Sequence, residues 1–325
     1  MLRAEDVKAY YETRRGPVRA LDGVSIALHE NEIVGIAGES GCGKSTLVKV
    51  LYDNVASPLR LVSGRAVLTR AADDTSVLAA SGSIQDRWWR DISFVPQASM
   101  SVLNPVVRIG PHFRDSADAA FRQMGRGAFW ARVREVLSGL RLGDDVLSAF
   151  PHQLSGGMRQ RVVIALATFL DPRFILADEP TTALDVVTQK EILTLLVDVQ
   201  RRMKNSLVIV SHDMAVHYQV TGRLAIMYAG KLVECGPTSG IFREPRHPYT
   251  RLLIGALPRI GQRGKLSGIS GVPPSLLSPP AGCRFAGRCP NVMDRCRSEE
   301  PAVRSVGNRH VVACHLHEPV AEDDS

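Results

Sequence analysis

Long apolar runs are missing from this 325-residue chain. The longest, Val162 to Leu170, falls far short of the roughly 18–20 residues a membrane-spanning helix needs, which excludes a helical integral membrane protein. The first residues, Met1-Leu2-Arg3-Ala4-Glu5-Asp6, lack the apolar core of a signal peptide, so the expected compartment is the cytosol. Cysteine is sparse, at six (42, 235, 283, 289, 296 and 314). Cytosolic thiols stay reduced, so these are thiols or metal ligands and a disulfide scaffold is excluded. No internal repeat or low-complexity tract appears. What is present is ordinary: 45% hydrophobic and 22% charged residues, enough to build a sizeable core and to exclude global disorder or a fibre. The net charge of +7, mostly arginine, is compatible with nucleic acid, an anionic membrane surface or phosphorylated ligands, and does not choose among them.

Patterning predicts an α/β chain. Glu32 to Ala37 reads as a short buried strand, followed by a glycine-rich turn and a helix from Lys44 to Leu51. Residues 63–97 read as short strands and turns, and 105–150 as helical, Ala-rich at 117–121 and amphipathic over 128–142. Arg173 to Glu179 is a compact apolar strand ending in two acids. A helix (Val186 to Met203) and strands at Leu207 to Ser211 and Leu224 to Ala229 follow. Strands alternating with helices indicate a mostly parallel sheet covered on both faces. From about residue 243 proline, arginine and cysteine rise and periodicity fades, which places a boundary there.

The strongest local signal is Gly38-Glu39-Ser40-Gly41-Cys42-Gly43-Lys44-Ser45-Thr46. It fits G-x-x-x-x-G-K-[ST] between a strand and a helix, the context of a phosphate-binding loop. Glycines let backbone N–H groups converge on phosphate oxygens, and the helix N-terminus adds its positive dipole end. Lys44 can reach the β- and γ-phosphates, Ser45 can offer its hydroxyl to Mg²⁺, and Thr46 can reach the α-phosphate. In Phe174-Ile175-Leu176-Ala177-Asp178-Glu179, an apolar strand delivers Asp178 to hold Mg²⁺. Glu179 follows directly, where it can deprotonate the attacking water.

The third element, Leu154-Ser155-Gly156-Gly157-Met158-Arg159-Gln160, opens a long helix and again presents N–H groups and a hydroxyl to an anion. It resembles the signature of ATP-binding-cassette (ABC) ATPases, with Met158-Arg159-Gln160 where the commonest form has only Gln. The resemblance extends over nearly the whole chain and implies several further roles. Gln97, in Phe94-Val95-Pro96-Gln97, resembles the glutamine that touches Mg²⁺ and water. Ala183-Leu184-Asp185 resembles the D-loop. His212, in Ser211-His212-Asp213, resembles the switch histidine on the γ-phosphate. Tyr11, with Tyr10 as neighbour, lies where the family places an adenine-stacking aromatic. Ser155, Gly156, Gly157, Gln160 and Asp185 would face ATP held by a second cassette.

Leu103-Asn104-Pro105, Arg246-His247-Pro248-Tyr249-Thr250-Arg251-Leu252-Leu253 and Ala256-Leu257-Pro258 look like the oligopeptide/dipeptide importer ATPases, as does the tail Cys283-Arg284-Phe285-Ala286-Gly287-Arg288-Cys289-Pro290. That subfamily also includes nickel and some oligosaccharide importers. The resemblance implies a P-loop NTPase of ABC type at residues 1–242, with a helical subdomain at about 98–157 and a small cysteine-containing extension at 243–325. It implies an ATP- and Mg²⁺-dependent ATPase at the cytoplasmic membrane face. Its partners would be a second ATPase subunit, two permeases and an external substrate-binding protein. A soluble ABC ATPase working on nucleic acid or ribosomes is the rival, but the coiled-coil insertion or paired cassettes usual there are absent, so no nucleic-acid partner is expected.

The thiols of Cys283, Cys289, Cys296 and Cys314 suit zinc or iron–sulfur chemistry. Five, six and seventeen residues separate them, wider than the two to four usual between paired zinc ligands, so a [4Fe–4S] cluster is the expectation, with zinc or free thiols as alternatives. His310 and His315 are spare ligands. Cys42, beside Lys44 and a helix N-terminus, is expected to be a reactive thiol.

Overall fold

The computed structural model describes residues 1–70, 73–76, 87–97, 102–116, 124–182, 184–257, 268–307 and 309–317. In chain order the strands are β1 (Leu2–Thr13), β2 (Gly16–Leu28), β3 (Ile33–Ala37), β4 (Leu59–Arg70), β5 (Asp73–Ser76), β6 (Ile92–Val95), β7 (Phe174–Asp178), β8 (Ser206–Val210), β9 (Arg223–Tyr228), β10 (Lys231–Pro237), β11 (Val303–Gly307) and β12 (His310–Ala313). The helices are α1 (Lys44–Leu51), α2 (Ile109–Ser116), α3 (Arg126–Gly139), α4 (Gly156–Thr168), α5 (Val186–Met203), α6 (Met214–Val220), α7 (Thr238–Arg243), α8 (Pro248–Gly255) and α9 (Arg295–Ser298). The predicted Lys44–Leu51 and Val186–Met203 helices are found at those bounds. Of the predicted helical stretch 105–150, α2 and α3 are described, while the Ala-rich 117–121 lies outside the described residues.

The chain divides into two compact units. One comprises Met1–Leu2, Ala27–Ile33 and Val67–Val210. Its strands β6, β7 and β8 run parallel, with Phe94 beside Leu176 and Leu176 beside Val208. Every residue of β7 and β8 is buried, as parallel strands covered on both faces require. Beside them, Phe169 at the end of α4 meets Phe113 of α2 edge to face at 5.3 Å and Phe129 of α3 at 6.2 Å. Such aromatic pairs add about 0.5–1.5 kcal/mol to their burial. Helix α5 starts where Asp185 caps it, Oδ1 accepting from the Thr188 amide at 2.9 Å and Oδ2 from the Thr188 hydroxyl at 2.7 Å. It ends at Lys204 in the left-handed region.

The other unit comprises Arg3–Ile26, Val34–Ala66 and Ser211–Ser325. Here β3 runs parallel to β9, and β9, β10, β12 and β11 continue antiparallel. The cysteine-rich tail thus supplies two strands to the sheet that carries β3. A buried carboxylate fixes this junction. Glu234 of β10 accepts hydrogen bonds from the amides of Arg246 and His247 (2.8 and 2.9 Å) and from His310 Nε2 of β12 (2.8 Å). Burial favours the neutral acid, but these donors outweigh it and hold the carboxyl below its usual range. Arg284 reaches from the tail to the carbonyl of Ala229 and to Asp22 of β2.

Two imidazoles are sealed into this unit. His217 of α6 is fully buried, and its Nε2 donates to the Ser211 carbonyl at 3.1 Å. His247 caps α8, its Nδ1 accepting from the Tyr249 amide at 3.0 Å. Burial pushes both down to about 4, so both are neutral at pH 7. Histidine in the unfolded chain titrates near 6.5 and takes up protons first as pH falls. The contribution is therefore complete above about pH 6.5 and is lost as pH falls toward 4, on the order of 3 kcal/mol for each histidine. Denaturant midpoints should drop steeply between pH 7 and pH 5, and a midpoint unchanged over that range would contradict the burial of these rings as neutral bases.

Candidate functional site

Strand β3 ends at Ala37 and the chain turns through residues 38–43 into α1. Two glycines make that turn possible. A Cβ on Gly38 (φ +147) would lie 2.1 Å from the Met227 carbonyl oxygen, and one on Gly43 (φ +106) would lie 2.3 Å from that of Ala20. Only glycine permits both the conformation and the approach. Lys44 is buried, and its ammonium donates to the carbonyls of Gly38 (2.8 Å) and Glu39 (3.0 Å). Ser45 is half-buried at the first turn of α1, and Thr46 is buried. Ser40 and Gly41 are exposed at the crown. The result is a backbone cradle with one cation under it, at a helix N-terminus, with the donor set suited to phosphate.

In the same unit, the Tyr11 and Thr46 hydroxyls lie 3.4 Å apart, which puts Tyr11 beside the loop. Tyr10 is committed elsewhere, donating to Asp22 at 2.8 Å. His212 is exposed just after β8. It is held between Ser211, whose carbonyl His217 pins, and Asp213, whose amide donates to the Ser211 hydroxyl at 3.0 Å and whose Oδ1 caps Ala215 at 2.8 Å. Nothing in the sequence marks His217, since a lone histidine in an apolar helix offers little to find it by.

Cys42 differs from expectation. It is 4% exposed. Burial raises its thiol pKa, outweighing the pull of Lys44, whose Nζ is 3.8 Å from Sγ. The thiol is therefore neutral and enclosed rather than reactive.

In the other unit, Asp178 ends β7 and is buried. Glu179 follows with φ +45, a conformation that costs a non-glycine residue about 1–3 kcal/mol and clusters at functional positions. Its Oε2 accepts from Gln97 Nε2 at 3.1 Å and from the Thr182 hydroxyl at 2.9 Å, and its amide donates to the Val210 carbonyl at 3.0 Å. The structure thus joins Gln97 to Glu179, a contact across 82 positions that spacing alone does not give. Ser155 caps α4 by accepting from the Met158 amide at 3.2 Å, with Gly156 and Gly157 opening the helix and Gln160 buried in it. Arg161 of α4 donates to Glu191 of α5 at 2.7 Å, tying the helix Ser155 begins to the one Asp185 begins. Ala183 lies outside the described residues.

The tail cysteines also differ from expectation. Cys283, Cys289, Cys296 and Cys314 do line one cavity, with Phe285 and Met293, but it measures only about 10 Å³, room for about one water. Burial pushes the thiols of Cys283 and Cys314 up to about 11 and raises that of Cys289. Among the described residues no group of three or more His, Cys, Asp or Glu is arranged to hold a metal ion. Beyond that convergence, this geometry lends the expected [4Fe–4S] centre no support. His310 is taken by Glu234, and His315 donates to the Glu299 carbonyl at 3.0 Å; both are buried, not spare.

A parallel-stranded sheet whose strand passes through such a loop into a helix defines a P-loop nucleotide-binding cassette. Residues 21–182 match the ABC transporter family, and residues 233–296 match the C-terminal region of oligopeptide/dipeptide transporters. The dipeptide transport ATP-binding protein DppD of Caldanaerobacter subterraneus is 40% identical over 98% of this chain and 97% of its own length. DppD of Bacillus subtilis is 38% identical over 99% and 96%. Among solved structures, the dimeric bacterial ABC transporter cassette MJ0796 matches with TM-score 0.62 and 27% identity, over 73% of this chain and 99% of that one. Its post-hydrolysis state bound to ADP and Pi matches with TM-score 0.61 and 28% identity, over the same shares. The chain belongs to the ABC transporter ATPases, in the oligopeptide/dipeptide transporter branch.

The enclosed thiol at Cys42 gives a checkable outcome. At pH 7.5, maleimide should label Cys42 at least about tenfold more slowly than a free cysteine peptide, with or without Mg-ATP, because reactivity follows thiolate fraction and access. Peptide mapping by mass spectrometry reads this, and rapid labelling that ATP suppresses would restore the reactive thiol.

Proposed function

We propose that this chain binds and hydrolyses ATP to power import of dipeptides or oligopeptides through a membrane permease. The observation that carries the reading is the phosphate loop, where Gly38 and Gly43 admit the turn and buried Lys44 lies beneath it. The C-terminal match and the DppD relatives support peptide cargo over nickel or oligosaccharide.

The residues would act as follows. The loop residues Gly38, Ser40, Gly41, Cys42 and Gly43, with Lys44 and the side chain of Thr46, would hold the phosphates. Tyr11 would stack on adenine. Ser45, Asp178 and Gln97 would hold Mg²⁺, whose charge offsets that of the phosphates when bound. Glu179, oriented through Gln97 and Thr182, would accept the proton of the water that attacks the γ-phosphate. His212 would touch that phosphate. Ser155, Gly156, Gly157, Gln160 and Asp185 would meet ATP held by a second ATPase subunit, a reading supported by the dimeric cassette it resembles. Residues 1–242 form the cassette in this reading, with the helical subdomain at about 98–157 and the importer-type extension at 243–325.

The partners are the second ATPase, two permeases and an external binding protein. No described helix is long and apolar enough to cross a membrane, which accords with a peripheral subunit at the cytoplasmic face. For the tail, convergence of four cysteines on one cavity is all that supports an iron–sulfur cluster. Iron and sulfide analysis of anaerobically prepared protein tests that separately, and the ATPase reading does not depend on it.

Glu179→Gln should bind Mg-ATP as tightly as the unaltered chain and, assembled with its permeases, hydrolyse it roughly 10²-fold or more slowly, the scale of a lost general base. Turnover at the unaltered rate in the same complex would remove Glu179 from this role.

A further inference from the structure

The second residue of the phosphate loop is held by the cysteine-rich tail. Arg288, whose side chain is 6% exposed, makes a two-pronged ion pair with the Glu39 carboxylate, Nη1 to Oε2 at 2.8 Å and Nη2 to Oε1 at 2.9 Å. Its remaining N–H groups are also used: Nη1 donates to the Tyr228 hydroxyl (3.1 Å), Nη2 to the Ile269 carbonyl (3.0 Å) and Nε to the Ser270 carbonyl (2.9 Å). All five donors of the guanidinium are thus directed, and its plane is fixed. Tyr249 of α8 accepts from the Glu39 amide at 2.9 Å. Lys44 donates to the Glu39 carbonyl at 3.0 Å. Glu39 is therefore pinned through its amide, its side chain and its carbonyl, two of the three by residues far beyond the loop in sequence. Behind them Tyr228, Tyr249 and Phe285 pack within 4.6–5.4 Å of one another, so the clasp stands on a rigid aromatic floor.

Glu39 places a negative charge one residue into a loop built to receive phosphates, and unopposed it would repel them. Arg288 cancels that charge and fixes the backbone at the same point. We infer that Arg288 and Tyr249 are positioning residues for nucleotide, acting through Glu39 to shape and neutralise the phosphate loop, so that ATP affinity depends on the C-terminal extension. The inference rests on the reading of residues 38–46 as the ATP phosphate site. It predicts a specific pattern in which removing the arginine matters only while the glutamate is there to be neutralised.

The test is titration of the full chain with Mg-ATP by calorimetry, beside KM and kcat in the assembled transporter. Arg288→Met should weaken ATP binding about tenfold and raise KM similarly, with kcat changed less than twofold. Raising salt should recover part of that loss, because the uncompensated Glu39 charge is then screened. In a Glu39→Gln background the same Arg288→Met change should cost less than about threefold. Arg288→Lys should fall between, since an ammonium keeps the charge and loses the fork. Should Arg288→Met fail to fold, Tyr249→Phe keeps the ring and removes the acceptor, and should itself weaken ATP about threefold. Unchanged affinity in Arg288→Met with a lowered melting temperature would overturn the proposal, leaving a purely structural contact. So would a loss of equal size with Glu39 present or replaced. Failure of the underlying reading looks different: Lys44→Ala would then bind ATP as well as the unaltered chain, and the proposal would fall with it.

Discussion

The structure depends on a close approach of backbone to backbone. Where β3 turns toward α1, Gly38 lies against the Met227 carbonyl of β9 and Gly43 against that of Ala20 in β2, both at distances that leave no room for a side chain. The phosphate loop is thus wedged between two strands rather than draped over a surface. Lys44 beneath it and the Gly230 amide, which donates to the Cys42 carbonyl at 2.9 Å, complete the wedge. A loop confined on this many sides keeps one backbone conformation, and that preorganisation makes a cradle out of a turn.

Around this wedge the unit is assembled from partners distant in the chain. The buried Glu234–His310 contact ties β10 to β12, Arg284 ties the tail to β2, and Arg288 ties it to the loop itself. Each is a charged or polar group in a largely buried place, where a partner lost costs more than the partner gained contributes. The extension is therefore built into the unit that carries the phosphate loop, through the sheet and through side chains.

The second unit works by local devices. Its helices begin at Ser155 and Asp185, short polar residues that cap their own first turns. The Phe113–Phe129–Phe169 cluster draws α2, α3 and the end of α4 together. Glu179 carries its positive φ at the end of a strand that is buried throughout, so the surrounding packing over-determines an otherwise unfavourable conformation.

The sequence by itself determined what local rules govern. Strands β3, β7, β8 and β9 were legible as short apolar runs, and α1 and α5 were legible as the helices that follow the glycine-rich turn and the strand ending in two acids. The glycine–lysine loop was legible because its geometry admits few residue types. Tertiary structure decided what depends on partners far apart. Cys42 reads as activated from its neighbours, yet burial between strands keeps it neutral. The four tail cysteines read as a ligand set from composition, yet packing sets them around a cavity the size of a water and raises the thiols of Cys283, Cys289 and Cys314. Arg288 reads as one arginine among many, and only the fold brings it across 249 positions to the carboxylate beside the phosphate loop. Local propensity and steric permission are written in neighbouring residues, whereas desolvation and charge pairing depend on what the folded chain sets around each group.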